Sequence, residues 1–180
     1  VSFMLPLDRA HALDFWRRVA RDADQGRRLQ LVARDALGIC GTVQLILDLP
    51  DNQPHRADVA KMLVHRRARR QGAGATLMRA AEAAARARGR NLLVLDSVTG
   101  SDAARLYERL GWVRVGDIPR YALWPRGGFV GTTYYYRDLS ATSVGLEMAV
   151  AIILSLFAGV WLDGRFGTTP WLMLVCLGFG

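Results

Sequence analysis

The segment Val64–Ala75 holds the residues best suited to bind an anion. Arginines occupy four of the five positions 66–70, and Gly72 and Gly74 follow them. Glycines let the backbone approach a ligand closely, and a helix that begins here presents unpaired N–H groups and the positive end of its dipole. This combination favours a site for phosphate or pyrophosphate. The alternative is a glycine turn surrounded by solvated arginines.

Two common nucleotide-binding motifs do not fit this segment. A P-loop requires Gly-Lys-Ser/Thr at the start of the helix, whereas Gly74-Ala75-Thr76 contains no lysine. A dinucleotide-binding fingerprint requires a third glycine at position 77, which is Leu77, and it closes the first strand–helix unit of its domain. Two predicted strands already precede the unit that contains Gly72.

Hydrophobic periodicity and turn residues predict the elements that would position this segment. The predicted helices are Asp8–Arg28, Ala75–Arg88 and a shorter one that Ser101 or Asp102 caps and that ends at Leu110. The predicted strands are Leu29–Arg34, Ile39–Leu47, Ala57–His65, Asn91–Leu95, Trp112–Val115 and Thr132–Arg137. The last two strands are expected to be separated by a loop that contains Pro119 and Pro125. This alternation predicts a mixed α/β domain.

Length and composition limit the classes of protein to which this chain can belong. The chain has 180 residues, 51% of them hydrophobic, which suits one core-bearing domain with an appendage and excludes disordered and collagen-like chains. Two cysteines, Cys40 and Cys176, make no disulfide scaffold and favour a reducing compartment. No charged leader precedes the first apolar residues, so no signal peptide is expected.

The net charge of +8 is unevenly distributed. The first 142 residues hold 23 bases and 14 acids, or +9, and the last 38 hold one base and two acids, or −1. A basic body favours an anionic partner such as nucleic acid, a membrane surface or a phosphate-rich cofactor. Solvated surface arginines are the alternative.

The tail has a different composition. Residues 148–162 are apolar except for Ser155, and counting from Val144 gives nineteen residues, close to the roughly 20 that cross a bilayer. A turn over 163–170 and a second apolar segment, 171–180, follow, with Trp161 and Trp171 flanking the turn as interfacial aromatic residues would. We expect a transmembrane hairpin with an incomplete second helix. The alternative is a buried helix and strand of the main domain.

Two segments together resemble the GNAT superfamily of acyl-CoA N-acyltransferases. The first, Arg69-Arg70-Gln71-Gly72-Ala73-Gly74, is similar to the family's acetyl-CoA motif Gln/Arg-x-x-Gly-x-Gly/Ala and follows a strand with Val64 near its end. The second, Ala103–Trp112, is similar to the family's A-x-x-L-Y-e-x-x-G-F segment, with Trp112 in place of Phe. The resemblance covers roughly Ser2–Leu139. Asp117–Pro119 and Thr132–Leu139 look like the tabtoxin-resistance-like acetyltransferases within the family.

The resemblance implies a fold and a set of roles. The fold is that of an acyl-CoA N-acyltransferase, a mixed and mostly antiparallel sheet flanked by helices. Its implied co-substrate is acetyl-CoA, and no metal is expected. The residues implied to bind the pyrophosphate, mainly through main-chain N–H groups, are Arg69, Arg70, Gln71, Gly72, Ala73, Gly74 and Ala75. Met62, Leu63 and Val64 would pair their backbone with the pantetheine arm, because this strand and the next splay apart in the family.

The catalytic roles follow from the same resemblance. Tyr107 would protonate the leaving thiolate, since a phenol with a pKa near 10 is protonated at pH 7. Asp58 is the first candidate for the general base, with Asp96 and His65 as alternatives. The family often has an Asn before the Ala103–Trp112 helix to hold the pantetheine. This chain has Ser101 there, which could make that hydrogen bond.

The tail carries a second resemblance over about 37 residues. Gly145-Leu146-Glu147, Trp161-Leu162-Asp163 and the segment 167–171 look like the small two-helix accessory proteins of bacterial ATP synthase. Glu147 and Asp163 would be the ionisable residues of interest there. The predicted organisation is a GNAT-like domain over 1–139, a linker over 140–143 and an apolar hairpin over 144–180.

The sequence thus predicts transfer of an acetyl group from acetyl-CoA to a primary amine of a small molecule, by direct attack in a ternary complex. The domain is expected at the cytoplasmic face, tethered to the membrane by the tail, with a homodimer as an option and no nucleic-acid partner. Two alternatives stay open: a nucleic-acid binder that uses the cluster from His65 to Arg70, and a membrane accessory protein with a degenerate head.

Overall fold

The computed structural model describes residues 3–140, 152–158, 160–161 and 165. The chain divides into two compact units, Val1–Leu139 and Ser140–Gly180. The first unit contains a six-stranded sheet in the order β1-β2-β3-β4-β6-β5. Its strands are β1 Arg28–Asp35, β2 Gly38–Ile46, β3 Arg56–Val64, β4 Leu92–Val98, β5 Val113–Leu123 and β6 Phe129–Asp138. Only β3 and β4 run parallel, so the sheet is mixed and mostly antiparallel, as the resemblance implied.

Three α-helices complete this unit: α1 Arg9–Asp24, α2 Ala73–Arg86 and α3 Asp102–Arg109. Asp8 caps α1 by accepting from the backbone N–H of His11, and Ser101 caps α3 by accepting from that of Ala104. Helix α2 has no side-chain cap and begins after Gly72, whose φ of +86° is in the left-handed region that favours glycine.

The core lies between the sheet and helices α2 and α3. Helix α2 buries a stripe at helical spacing, Leu77, Met78, Ala81, Glu82 and Ala85. The apolar residues of this stripe join a cluster that includes Val43, Leu45, Leu93 and Leu95 from the sheet and Tyr107 from α3. Because one face of α2 and one side of α3 are buried in this core, both helices are held against the centre of the sheet.

The strands predicted over Leu29–Arg34 and Ile39–Leu47, with a hairpin turn expected at residues 35–38 between them, are confirmed as β1 and β2, and β5 is longer than predicted. Strands β1 and β2 pair from Arg28↔Ile46 to Asp35↔Gly38, and Asp35 accepts from the backbone N–H of Leu37 in the turn. The loop expected around Pro119 is wrong, because β5 continues to Leu123 with a register shift between Ile118 and Ala122. Strand β5 is at the sheet edge, where a bulge accommodates proline.

In the tail, the described residues 152–158, 160–161 and 165 are helical. Among the residues that the structure describes, no helix combines the length and the apolar character needed to span a membrane. Most of the predicted hairpin, including Glu147, Asp163 and Trp171, lies outside the described residues. The transmembrane hairpin therefore stays a prediction.

Candidate active site

The site is organised by a fork between β3 and β4. These parallel strands pair only at Arg56↔Leu92, Ala57↔Leu93 and Asp58↔Val94. Beyond this point, residues 59–64 of β3 do not pair with residues 95–98 of β4. Strand β3 still pairs with β2, and β4 still pairs with β6. The splay that the resemblance implied is present, and it opens at Asp58.

A cradle of backbone donors follows β3. Within residues 3–140, the N–H groups of Ala73, Gly74 and Ala75 donate to no protein group, and the first intrahelical bond of α2 runs from the Thr76 N–H to the Gly72 carbonyl at 3.0 Å. A Cβ at Gly72 would meet no atom within 4 Å, so there is open space beside the residue that precedes these donors. The positive end of the α2 dipole adds to the attraction for an anion.

The arginines before the cradle have different functions. Arg67 is bound to Asp35, from Nε to Oδ2 at 2.9 Å, and it donates to the Ile39 carbonyl. Arg69 donates from Nε to the Val64 carbonyl at 3.1 Å. Arg70, with a φ of +58°, is exposed, and its charge together with that of Arg69 contributes to lowering the pKa of Asp102, after the larger effect of Arg105. Arg66, Arg69 and Arg70 are all exposed, and Arg70 is the nearest of them to the cradle along the chain.

The three predicted pantetheine-binding residues differ in their backbone partners. Leu63 is in register with Thr42 of β2, and its carbonyl points toward Gly41 of that strand. The backbone N–H and C=O groups of successive residues point to alternate sides of a strand. Those of Met62 and Val64 therefore point toward the fork. The Val64 carbonyl accepts from Arg69, which leaves the Val64 N–H and the main-chain groups of Met62 as candidates to bind in the fork.

Tyr107 on α3 is buried, with 5% of its surface exposed, and contacts two other aromatic rings. Its ring centroid lies 6.0 Å from that of Trp112 and 5.8 Å from that of Tyr135. Burial, and then the negative charge of Asp96, raise the pKa of Tyr107 to about 12. The phenol is therefore protonated at neutral pH, as a proton donor must be.

Two carboxylates lie at the mouth of the fork. Asp58 is half-buried beside Arg56, with 3.3 Å between Oδ1 and the guanidinium Nη1. Burial raises the pKa of Asp58; the charge of Arg56 lowers it, and that of Asp96 raises it. Asp96 on β4 accepts from the Thr132 hydroxyl at 3.2 Å. The charge of Asp96 affects the pKa of both Asp58 and Tyr107, which indicates that these three side chains lie near one another.

The comparisons with known proteins agree with this geometry. The sequence model described as "Acetyltransferase (GNAT) domain" matches residues 26–114, which include β1–β4, the cradle, Asp58 and Tyr107. This chain carries a GNAT acetyltransferase domain. The chain is accordingly assigned as an acetyl-CoA-dependent N-acetyltransferase.

Solved structures show the same fold at low sequence identity. An N-acetyltransferase from Staphylococcus aureus Mu50 is 15% identical with a TM-score of 0.64, covering 78% of this chain and 82% of that chain. An acetyltransferase from Salmonella typhimurium, solved with its cofactor acetyl-CoA, is 18% identical with a TM-score of 0.62, covering 74% and 75%. The ribosomal-protein-alanine N-acetyltransferase from Brucella melitensis is 20% identical with a TM-score of 0.61, covering 74% and 80%.

The tail matches a second family. The model described as "Putative F0F1-ATPase subunit Ca2+/Mg2+ transporter" covers residues 139–180. This match agrees with the resemblance of the tail to the ATP-synthase accessory proteins. In the described part of the chain, no group of three or more His, Cys, Asp and Glu side chains is placed to hold a metal ion.

Two predicted polar residues of the GNAT domain have local structural partners. The Ser101 hydroxyl accepts from the Ala104 N–H at 3.2 Å and lies 3.1 Å from the Ser97 hydroxyl, so it caps α3. His65 accepts at Nδ1 from the backbone N–H of Arg67, at the start of the short 3₁₀ turn Arg66–Ala68. These contacts make Asp58 and Asp96 better placed than His65 to accept a proton at the fork.

The sequence offers Tyr121–Gly131 and Tyr134–Tyr136 as candidate lining of the substrate wall, but the contact between β5 and β6 at the site was not predicted. The hydroxyls of Tyr121 and Tyr134 lie 2.8 Å apart, and this hydrogen bond, followed by burial, raises the pKa of Tyr134 to about 12. The charges of Asp96 and Asp58 contribute to the same rise. The signal was available in the alternation of Thr132, Thr133 and Tyr134, which places Thr132 and Tyr134 on one face of β6.

Proposed function

We propose that this GNAT domain transfers an acetyl group from acetyl-CoA to a primary amine of a small molecule, by direct attack in a ternary complex. The observation that carries the proposal is the fork between β3 and β4, which has a cradle of free N–H donors after β3 and Asp58, Asp96 and Tyr107 beside its mouth. A donor and an acceptor bound in one cleft react without the entropic cost of an encounter.

The cradle residues fit a pyrophosphate. Backbone N–H groups of Ala73, Gly74 and Ala75 are open to an anion, and Arg70 adds a charge beside them. The residues proposed to hold the co-substrate are Arg69, Arg70, Gln71, Gly72, Ala73, Gly74 and Ala75, with Met62 on the strand side. Of the strand residues, Val64 contributes less through its backbone because Arg69 occupies its carbonyl.

Tyr107 is the proposed proton donor. Acetyl-CoA supplies an activated acetyl group on sulfur, and the departing thiolate needs a proton. Tyr107 retains its proton well above neutral pH, because its pKa is about 12, and its ring is fixed between Trp112 and Tyr135. The Ser101 hydroxyl caps α3, and its predicted hydrogen bond to the pantetheine stays a prediction.

Asp58 is the proposed proton acceptor, assisted by Asp96. The attacking nitrogen must lose a proton as the new C–N bond forms, and a carboxylate in the cleft can take it. Burial raises the pKa of Asp58, which makes it a stronger base than an exposed aspartate. The negative charges of Asp58 and Asp96 also favour a cationic amine at the mouth of the fork.

The test of the proposed function combines binding and product analysis on the full chain. Calorimetric titration with acetyl-CoA is expected to give saturable binding, and a panel of amines is expected to contain one whose addition releases thiol and yields the N-acetyl product. No heat at millimolar acetyl-CoA would contradict the proposal. Binding of duplex DNA that weakens steeply with salt, with no acetyl-CoA binding, would favour the nucleic-acid alternative.

We propose separately that the tail contacts a membrane. Its family match over 139–180 supports this, as do the exposed apolar side chains Ile152, Ile153, Leu154, Phe157, Val160 and Trp161. Sedimentation with phosphatidylglycerol vesicles tests it. The full chain is expected in the pellet, Leu154→Lys is expected to shift toward the supernatant and Leu154→Ala is the matched control. Full recovery of the unaltered chain in the supernatant would contradict this proposal.

A further inference from the structure

Trp112 makes a hydrogen bond that the phenylalanine of the family's segment could not make. Its indole Nε1 donates to Oε1 of Glu82 at 3.1 Å, and both side chains are buried, with exposures of 3% and 8%. Trp112 follows α3, whereas Glu82 lies on α2. A buried carboxylate without a partner is costly, so this bond constrains where the two helices can sit.

Trp112 is also attached directly to Tyr107. Its backbone N–H donates to the Tyr107 carbonyl at 3.0 Å, and the two rings are inclined at 50°. On the other side of Tyr107, the hydroxyl of Tyr135 donates to Glu108 at 3.2 Å. Movement of the indole would therefore move both the end of α3 and one wall of the space that holds the Tyr107 ring.

A second contact joins the same two helices near the cradle. A Cβ on Gly74 would lie 3.0 Å from Cδ2 of Leu106, so the first turn of α2 packs closely on α3. Gly74 and Glu82 are eight residues apart, or about 12 Å along the helix. Two contacts at this separation restrain α3, and the residues that follow it, relative to α2.

We propose that Glu82 and Trp112 are positioning residues for Tyr107. Their hydrogen bond holds α3 against α2, so that the Tyr107 hydroxyl keeps a fixed position relative to the cradle. This inference rests on the proposed function, in which the cradle holds the co-substrate and Tyr107 donates a proton. An error of about 1 Å in such a position can lower a rate by up to about a hundredfold.

Steady-state kinetics of four proteins test the inference: the unaltered chain, Trp112→Phe, Tyr107→Phe and the double variant. Trp112→Phe keeps an aromatic ring and loses only the donor and part of the ring area. We expect it to lower kcat about tenfold, with KM for acetyl-CoA changed less than about twofold. In the Tyr107→Phe background the same change is expected to have no effect on kcat, because the group being positioned is gone.

Two further variants keep the test independent of folding. Glu82→Gln retains an acceptor oxygen and is expected to keep kcat within about twofold of the unaltered chain. If Trp112→Phe fails to fold because Glu82 is left unpaired, Glu82→Leu with Trp112→Phe removes both polar groups and is expected to fold and to show the same loss of kcat.

Three results would overturn the inference in distinguishable ways. A loss of kcat in Trp112→Phe that persists in the Tyr107→Phe background would show that the pair acts elsewhere. A lowered Tm with unchanged kcat would make the bond purely structural. An unchanged kcat in Tyr107→Phe alone would remove the proton-donor assignment itself, and the positioning role with it, while acetyl-CoA binding by calorimetry would still report on the cradle.

Discussion

Arg67 forms a bidentate ion pair with Asp35, with 2.9 Å between Nε and Oδ2 and 3.2 Å between Nη2 and Oδ1. This pair joins the loop after β3 to the β1–β2 turn, and the side-chain hydrogen bond from Arg67 lowers the pKa of Asp35. The four arginines that precede the cradle are therefore not equivalent. Arg67 stabilises the loop, whereas Arg70 is exposed beside the cradle.

This difference predicts opposite outcomes for two arginine variants. Arg70→Ala is expected to weaken acetyl-CoA binding about three- to tenfold, because a charge beside the phosphates is lost, and the difference from the unaltered chain is expected to shrink with added salt. Arg67→Ala is the matched control, with lower stability but little direct effect on affinity. Calorimetry and thermal melting measure both. Equal losses of affinity in two folded variants would contradict the division of roles.

Gly72 offers a test of the anion cradle itself. Gly72→Glu places a carboxylate where the phosphate is proposed to bind, and we expect KM for acetyl-CoA to rise more than about tenfold. Gly72→Ala is the control for backbone strain, since any L residue at a φ of +86° is destabilised by about 1–2 kcal/mol. A rise in KM that is the same for both variants would mean that strain, not charge, causes the effect.

Tyr107→Phe is expected to lower kcat at least about a hundredfold, which is typical for the loss of a general acid. Because the pKa of Tyr107 is about 12, the kcat of the unaltered enzyme is expected to show no alkaline decline from this residue up to pH 10. Tyr136→Phe, on the partly exposed Tyr136 of β6, is the control and is expected to change kcat little. A kcat of Tyr107→Phe within twofold of the unaltered enzyme would exclude the role.

Asp58→Asn is predicted to separate activity from stability. The pKa of Asp58 is raised above 3.8 in the folded chain, so the folded state holds its proton more tightly than the unfolded state. Stability contributed by the protonated form is therefore lost as pH rises through the raised pKa. We expect Asp58→Asn to lower kcat and to raise Tm at pH 7 by about 1–2 °C, given its partial exposure.

The direction of this change in Tm is tested by comparing Asp58→Asn with the unaltered chain at two pH values. At pH 3 the carboxyl of Asp58 is protonated in both states, so Asp58→Asn and the unaltered chain are expected to melt at similar temperatures. A Tm for Asp58→Asn that is lower at pH 7 would mean that the ion pair with Arg56 outweighs burial. An unchanged kcat in Asp58→Asn would indicate that Asp96 is the general base instead. The variant Asp96→Asn would then test that role.

Much of this site could be predicted because its signals are local. The glycines and arginines at 69–74, the capping residue Ser101 and the turn at Asp35 each act on neighbours within a few residues. Local propensity therefore located the loop, α3 and the hairpin. The splay between β3 and β4 was implied by the resemblance alone, and the residues that pair at its base are about 36 apart in the chain.

The parts that sequence reasoning missed depend on contacts between distant residues. Pro119 looked like a loop residue, but β5 lies at the sheet edge and bulges between Ile118 and Ala122, so the proline costs no ladder hydrogen bond there. The sequence assigns no role to Glu82, yet this residue is buried as the partner of Trp112, thirty residues away. Neither local propensity nor hydrophobic period encodes such a pairing.

The most direct test of the central claim is a crystal structure of the full chain with coenzyme A. We predict that phosphate oxygens of the pyrophosphate lie within about 3.2 Å of the backbone nitrogens of two or more of Ala73, Gly74 and Ala75. We also predict that the pantetheine arm enters the fork between β3 and β4. A pyrophosphate bound at any other surface, with these three N–H groups facing solvent, would contradict the account.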